Sequence, residues 1–174
     1  MAERNYQDRW DGTLLEWGCP MKIRDVLVSK GSRVTTVWPH KKLNEILSVL
    51  SERNIASVVV VDHHDHPIGM ITDRLILRAL ARNGPAALNK SARQVLEDVK
   101  DTAFEPLPVC SLDDFVGTVM RRMTERRYRH ALVMDDQHMA GIVSIGDLVK
   151  VRLDDAEVES RVLRDIALGH IAAE

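Results

Sequence analysis

The sequence predicts an α+β fold in which two β-α-β-β-α copies pack around a shared core, and three observations predict it. Residues 69–77 read "GMITDRLIL" and residues 141–149 read "GIVSIGDLV", so segments 72 positions apart share a Gly, two apolar residues and then a hydroxyl, Thr72 or Ser144. Each is preceded by the same order of patterns: a short extended piece, a helical periodicity, a β-branched or apolar run and a polar turn. Finally, each copy offers only a small sheet with one apolar face and two helices, so burying those faces requires the other copy. The length of 174 residues fits two such halves.

In the first copy, Val34 to Val37 is a β-branched run halted by Pro39, as suits an edge strand. Leu43, Ile46, Leu47 and Leu50 then recur at helical spacing, and "SVVVVD" reads as a buried strand. "DHHDHP" is a polar turn into the apolar "IGMI", which makes the two strands a hairpin, and Leu75 to Leu80 supplies a further amphipathic helix.

The second copy repeats the order. "PLPVCS" is the extended piece, and "LDDFVGTVMRRMTERR" is a helix with Leu112, Phe115, Val116, Val119, Met120 and Met123 on one face. "HALVMD" and "AGIVS" are strands around the turn "DQHM", and a helix follows from Asp147. The first copy therefore spans 21–82 and the second 92–152, joined by a linker at 83–91 within "RNGPAALNKS". Residues 1–20 form an N-terminal extension in which Trp10, Leu14, Leu15 and Trp17 dock on the body or on a partner subunit. Residues 153–174 form a helical tail, where Val158, Val162, Leu163 and Ile166 make an apolar stripe.

Composition excludes several classes. The 24 basic and 26 acidic residues are interspersed, without the one-signed surface that drives nucleic-acid or membrane-surface binding. The longest apolar run, "IASVVVV", falls far short of the roughly 18 residues of a spanning helix, and the polar N-terminus lacks a signal-peptide layout. Cys19 and Cys110 have no CxxC spacing, so neither a disulfide framework nor a zinc site is expected, and a reducing cytoplasm fits best. "HHDH" at 63–66 reads as a solvated turn rather than a metal site, and most Arg residues of "RRMTERRYRH" as a solvated helix face. No nucleophile–base pair, Walker loop, paired carboxylate site or Cys/His cluster stands at a workable spacing, which argues against an enzyme.

The duplicated unit, with its final strand running into "GIVSIGDLV" after "RYRHALVMD", resembles a tandem cystathionine-β-synthase (CBS) domain pair, the Bateman module, over roughly residues 21–152. The linker and tail resemble those of stand-alone bacterial proteins that consist of the pair and little else. The resemblance implies pseudo-two-fold packing of the copies and a cleft that takes an adenosine-containing ligand: AMP, ADP or ATP first, NAD or S-adenosylmethionine otherwise. By the same resemblance Asp147 would hold the ribose hydroxyls, Ser144 a phosphate, and Ile142 would pack on sugar or base. Arg129 and His130 would face the phosphate, and the opposite wall would come from Thr35, Thr36, Ile55, Ala56 and Ser57. The chemistry suits these residues: a carboxylate accepts charge-assisted bonds from vicinal hydroxyls, and a hydroxyl beside free helix-start N–H groups suits a phosphate oxygen.

The first copy departs from the pattern. Thr72 is kept as a weak second site, but Leu75 replaces the ribose acceptor, and Asp73, two residues earlier, does not face the same way. One competent site per chain is expected. An Asp at a helix start is also an ordinary N-cap, a role compatible with ligand binding. The reading is thus a regulatory adenine-nucleotide sensor acting as a homodimer on an unidentified protein partner. Two others compete with it: a ligand-free dimerisation or interaction module, and a regulator of a purine-nucleotide enzyme.

Overall fold

The structure, a computed structural model, describes residues 21–99 and 107–171. Trp10, Leu14, Leu15, Trp17 and Cys19 lie outside the described residues, as does the side chain of Leu163. In chain order the elements are α1 (Ile23–Lys30), β1 (Thr36–Val37), α2 (Leu43–Glu52), β2 (Ser57–Val61), β3 (Pro67–Thr72), α3 (Asp73–Asn83), a 3-10 helix (Gly84–Asn89) and α4 (Ala92–Glu97). They continue as β4 (Val109–Ser111), α5 (Val116–Glu125), β5 (His130–Asp135), β6 (His138–Ser144) and α6 (Ile145–Ile171).

Two three-stranded sheets repeat one plan, β1-β2-β3 and β4-β5-β6, each with a parallel pair followed by an antiparallel hairpin. Register is set by burial on both faces: Val58 and Val60 of β2 lie in the first core and Val59 and Val61 between the sheets, and a one-residue slip would exchange the two sets. Ser57 therefore faces Thr72, and His130 faces Ser144, at equivalent corners of the two sheets. Asn54 and Arg127 both take positive φ, 50° and 57°, as the chain leaves α2 and α5 for the next strand. The duplication thus extends to backbone conformation that non-glycine residues seldom adopt.

Three apolar clusters hold the molecule together. The first half is centred on Leu43, Ile46, Val58, Val60, Ile71, Leu75 and Ile76, and the second on Val116, Val119, Met123, Ala131, Val133, Val143 and Leu148. A third cluster joins the sheets: Val59, Val61 and Met70 of the first half pack with Leu132, and Val109, Met134, Met139 and Ile142 lie around them. The shared core expected from the sequence is this seam. Cys110 is buried, which pushes its thiol up to about 12 with help from the charge of Asp114, so it serves as an apolar filler.

The helices preceding each sheet are exchanged between the halves. Ile23, Val26 and Leu27 of α1 pack in the second core, whereas Ala92, Val95 and Leu96 of α4 pack in the first. A Cβ on Gly141 would stand 2.8 Å from a Leu27 methyl, and one on Gly69 would stand 2.4 Å from a Leu96 methyl. Glycine at the start of each repeated segment leaves room for this close helix-on-strand contact, and a larger residue would displace the buried leucine.

Several boundaries differ from expectation for local reasons. The helix expected from Leu112 starts only at Val116, because the Ser111 N–H donates to the Asp114 carboxylate at 3.1 Å and closes a turn first; Phe115 stands at the helix start, half-exposed. The stretch 83–91 is built into the body. Gly84 takes φ +60° to end α3, Pro85 opens the 3-10 helix, and Ala87 is fully buried in the first core. Residues 153–171 continue α6 without a break, leaving Leu153, Val158, Val162 and Ile166 more than half exposed. Among the described residues no helix is long and apolar enough to cross a membrane, and no group of His, Cys, Asp or Glu is placed to hold a metal ion.

Candidate functional site

The site is built at the start of α6. Ser144 is the last residue of β6 and its hydroxyl accepts from the Asp147 N–H at 3.2 Å, while Asp147 Oδ2 accepts from the Ser144 N–H and hydroxyl, both at 2.7 Å. This reciprocal cap satisfies the Asp147 N–H in the first turn of α6 and fixes the carboxylate. The capping role weighed for Asp147 is thus present.

Lys30, the last residue of α1, donates its ammonium to the same Oδ2. Burial works against ionisation of Asp147, but the bonds from Lys30 and Ser144 outweigh it and hold the carboxyl below its ordinary range. Stability from these contacts is fully present above the ordinary carboxylate value and is lost as pH falls through the lowered folded value. Asp147→Asn should therefore flatten the acid limb of stability: its urea midpoint should fall below wild type at pH 7, and the gap should narrow as pH falls below the ordinary carboxylate range.

Beside this pair, the backbone of Arg129 and α6 are tied by the Ile145 N–H donating to the Arg129 carbonyl at 2.9 Å. The Arg129 guanidinium crosses to the first half and binds both oxygens of Asp73, at 3.1 and 3.2 Å. Arg74 returns the contact by donating to the Arg127 carbonyl at 2.8 Å. His130 lies half-buried on the neighbouring strand position, facing Ser144. Burial lowers its pKa, and the opposing fields of Asp73, Arg129, Lys30 and Asp147 all reach it. The imidazole is neutral at pH 7, flanked by two cations and two carboxylates.

Other predicted positions are placed as follows. Ile142 is half-buried in the seam between the sheets. The Ala56 carbonyl accepts from the Asp73 N–H at 3.1 Å, so Ala56 and Arg129 meet at Asp73. Ile55 packs on the first core, Ser57 is buried opposite Thr72, and Thr36 is an exposed residue of β1. Thr35 gives its carbonyl to the Val59 N–H at 2.9 Å, and its hydroxyl accepts from Arg53 at 3.5 Å. Thr72 accepts from the Leu75 N–H at 3.2 Å as the cap of α3, and Leu75 itself is fully buried in the first core.

Two residues at the site escaped the sequence reading. Asp73, whose position does not suit a ribose acceptor, is the anchor for Arg129. Lys30 carries no signal in its local spacing, because only the packing of α1 across the molecule brings it to residue 147.

Two β-α-β-β-α copies joined through a sheet-to-sheet seam, with a capped carboxylate and converging cations at the last helix, define a tandem module with its polar cluster on one copy. The CBS domain profile matches residues 23–82 and 97–154, and the chain belongs to the CBS domain family as a tandem pair. The CBS-domain containing protein ATU1752 from Agrobacterium tumefaciens is 32% identical, with a TM-score of 0.69 over 78% of this chain and 96% of that one. The mitochondrial CBS domain-containing protein CBSX3 of Arabidopsis thaliana is 28% identical over 153 residues, 84% of this chain and 72% of its own length. A 5'-AMP-activated protein kinase gamma subunit of Dictyostelium discoideum is 27% identical over 130 residues, which is 71% of this chain but only 22% of that subunit. The Pyrobaculum aerophilum CBS domain protein PAE2072, solved in complex with AMP, shares the fold at 18% identity, with a TM-score of 0.60 over 73% of this chain and 89% of that one.

Proposed function

We propose that the chain is a regulatory CBS pair that binds one adenine nucleotide per chain at the Asp147 corner. The observation that carries this reading is the convergence of Ser144, Asp147, His130, Arg129 and Lys30 at the start of α6, where a ribose acceptor, a hydroxyl and cations stand together. The AMP complex of PAE2072, and the complex of the MJ0100 pair with 5'-methylthioadenosine and S-adenosyl-L-methionine, support adenosine-containing ligands as the class. Lys30 and Arg129 favour a phosphorylated ligand, AMP, ADP or ATP, over an uncharged nucleoside, because a phosphate can share or take over their bonds to Asp147 and Asp73.

Binding would be read out through Arg129. Its bond to Asp73 ties the second half to the start of α3 in the first, and a phosphate at this corner competes for the same guanidinium. The ligand shifts the equilibrium between the two arrangements by its differential affinity for them. A thermal-shift panel of AMP, ADP, ATP, NAD and S-adenosylmethionine tests the reading. A ligand at a hundred times its Kd stabilises by about 2.7 kcal/mol, and no shift with any member refutes it.

A second reading, a ligand-free interaction module, draws on one specific observation: Asp147 and Arg129 are each already paired within the chain, with Lys30 and Asp73. It predicts a flat response across the panel.

The exposed stripe Val158, Val162 and Ile166 on α6, together with exposed Leu77 on α3, supports assembly as a homodimer. Sedimentation equilibrium should give a dimer for wild type and a monomer for Val158→Glu/Val162→Glu. A wild-type monomer contradicts the assignment.

A further inference from the structure

Lys30 and Asp147 have a counterpart pair in the other half, and the counterpart is apolar. The exchanged helices α1 and α4 correspond at an offset of 69. Lys22 and Ser91 precede them and form equivalent bridges, to Phe115 and Lys42, and Leu27 and Leu96 cover Gly141 and Gly69. The same offset places Val99 where Lys30 stands, and the offset of 72 places Leu75 where Asp147 stands. Val99 and Leu75 are 3% and 1% exposed in one apolar cluster, whereas the Lys30 and Asp147 side chains are 35% and 25% exposed. The two positions differ together: a charge pair open to solvent in one half, a closed apolar contact in the other.

The other groups at the corner narrow what the ammonium is for. Arg129 is held by both oxygens of Asp73, and burial keeps His130 neutral. The helix cap alone does not require Lys30, because Ser144 and Asp147 complete it with each other. All of the described contacts to Asp147 fall on Oδ2, so Oδ1 is the oxygen left to accept from a ligand.

Resting on the nucleotide reading, we infer that Lys30 is the residue that selects a phosphorylated ligand over the bare nucleoside. Its ammonium has three donors, enough to keep Asp147 oriented and to meet an anionic oxygen beside Ser144. α1 holds it there, because Ile23, Val26 and Leu27 anchor that helix in the second core and Gly31, at φ +94°, turns the chain away just past Lys30. Both ligands can reach Oδ1 of Asp147 through the ribose, but only the nucleotide brings an anion to the ammonium.

Calorimetry with AMP and with adenosine on wild type, Lys30→Met and Lys30→Arg tests this. Lys30 is at an exposed helix end, and circular dichroism melts serve as the control for folding. Wild type should prefer AMP to adenosine by at least about tenfold, and Lys30→Met should lose about ten- to a hundredfold in AMP affinity. Adenosine affinity should hold or rise in Lys30→Met, and Lys30→Arg should keep most of the preference for AMP. AMP affinity unchanged in Lys30→Met, or equal losses for both ligands, overturns the inference while leaving the nucleotide reading intact. Wild type that binds neither compound overturns both.

Discussion

Asp147→Ala is expected to weaken AMP binding by at least about a hundredfold while leaving the fold in place. A bond from a ribose hydroxyl to a carboxylate contributes about 1.5–3 kcal/mol, and a vicinal diol makes two, so their loss corresponds to two or more decades in Kd. The substitution also removes half of the cap on α6, at a cost of about 0.5–2 kcal/mol. That is tolerable, since Leu148, Val143 and the rest of the second core still hold the helix. Calorimetry on wild type and variant, each first checked by its melting curve, measures the effect. AMP binding of equal strength in the two proteins would show that the carboxylate is a cap and nothing more.

The largest expected effect on stability is at the seam. Leu132 is fully buried on β5 and is the second half's buried contribution to the cluster that includes Val59, Val61 and Met70. Leu132→Ala should cost about 2–5 kcal/mol, the sum of lost transfer energy and the cavity left behind. Because the seam joins the halves, its weakening should also loosen the Arg129–Asp73 bond, which spans the same junction. Urea unfolding gives the loss of stability, and hydrogen exchange should show faster opening in β2 and β5. A change under about 1 kcal/mol would place the main joint elsewhere, in the exchanged helices.

How much of this was legible in the sequence depends on the range of the signal. The strands Ser57–Val61 and His130–Asp135 and the helix from Leu43 are local patterns of apolar residues, and they stand as expected. Asp147 could be singled out because the repeat sets it against Leu75 while keeping the hydroxyl before it, Ser144 against Thr72, and because the family resemblance gives that position a role. The exchange of α1 and α4 was not legible: an amphipathic helix encodes an apolar face but not which of two similar cores will cover it. Lys30 was missed for the same reason, since 117 positions separate it from Asp147. The helix start at Val116 turned on one side-chain bond, from the Ser111 N–H to Asp114, that competes with helix formation.

The two halves differ most at the start of their last helices. Where the second half places Ser144, Asp147 and Lys30, the first places Thr72, Leu75 and Val99, and only the threonine retains a polar group. The measurement that tests this most directly is a calorimetric titration of the wild-type chain with AMP. One site per chain is expected, with Leu75→Asp adding no second site because Val99 still closes that corner. Two equivalent sites per chain, or no heat of binding at any concentration, would contradict it.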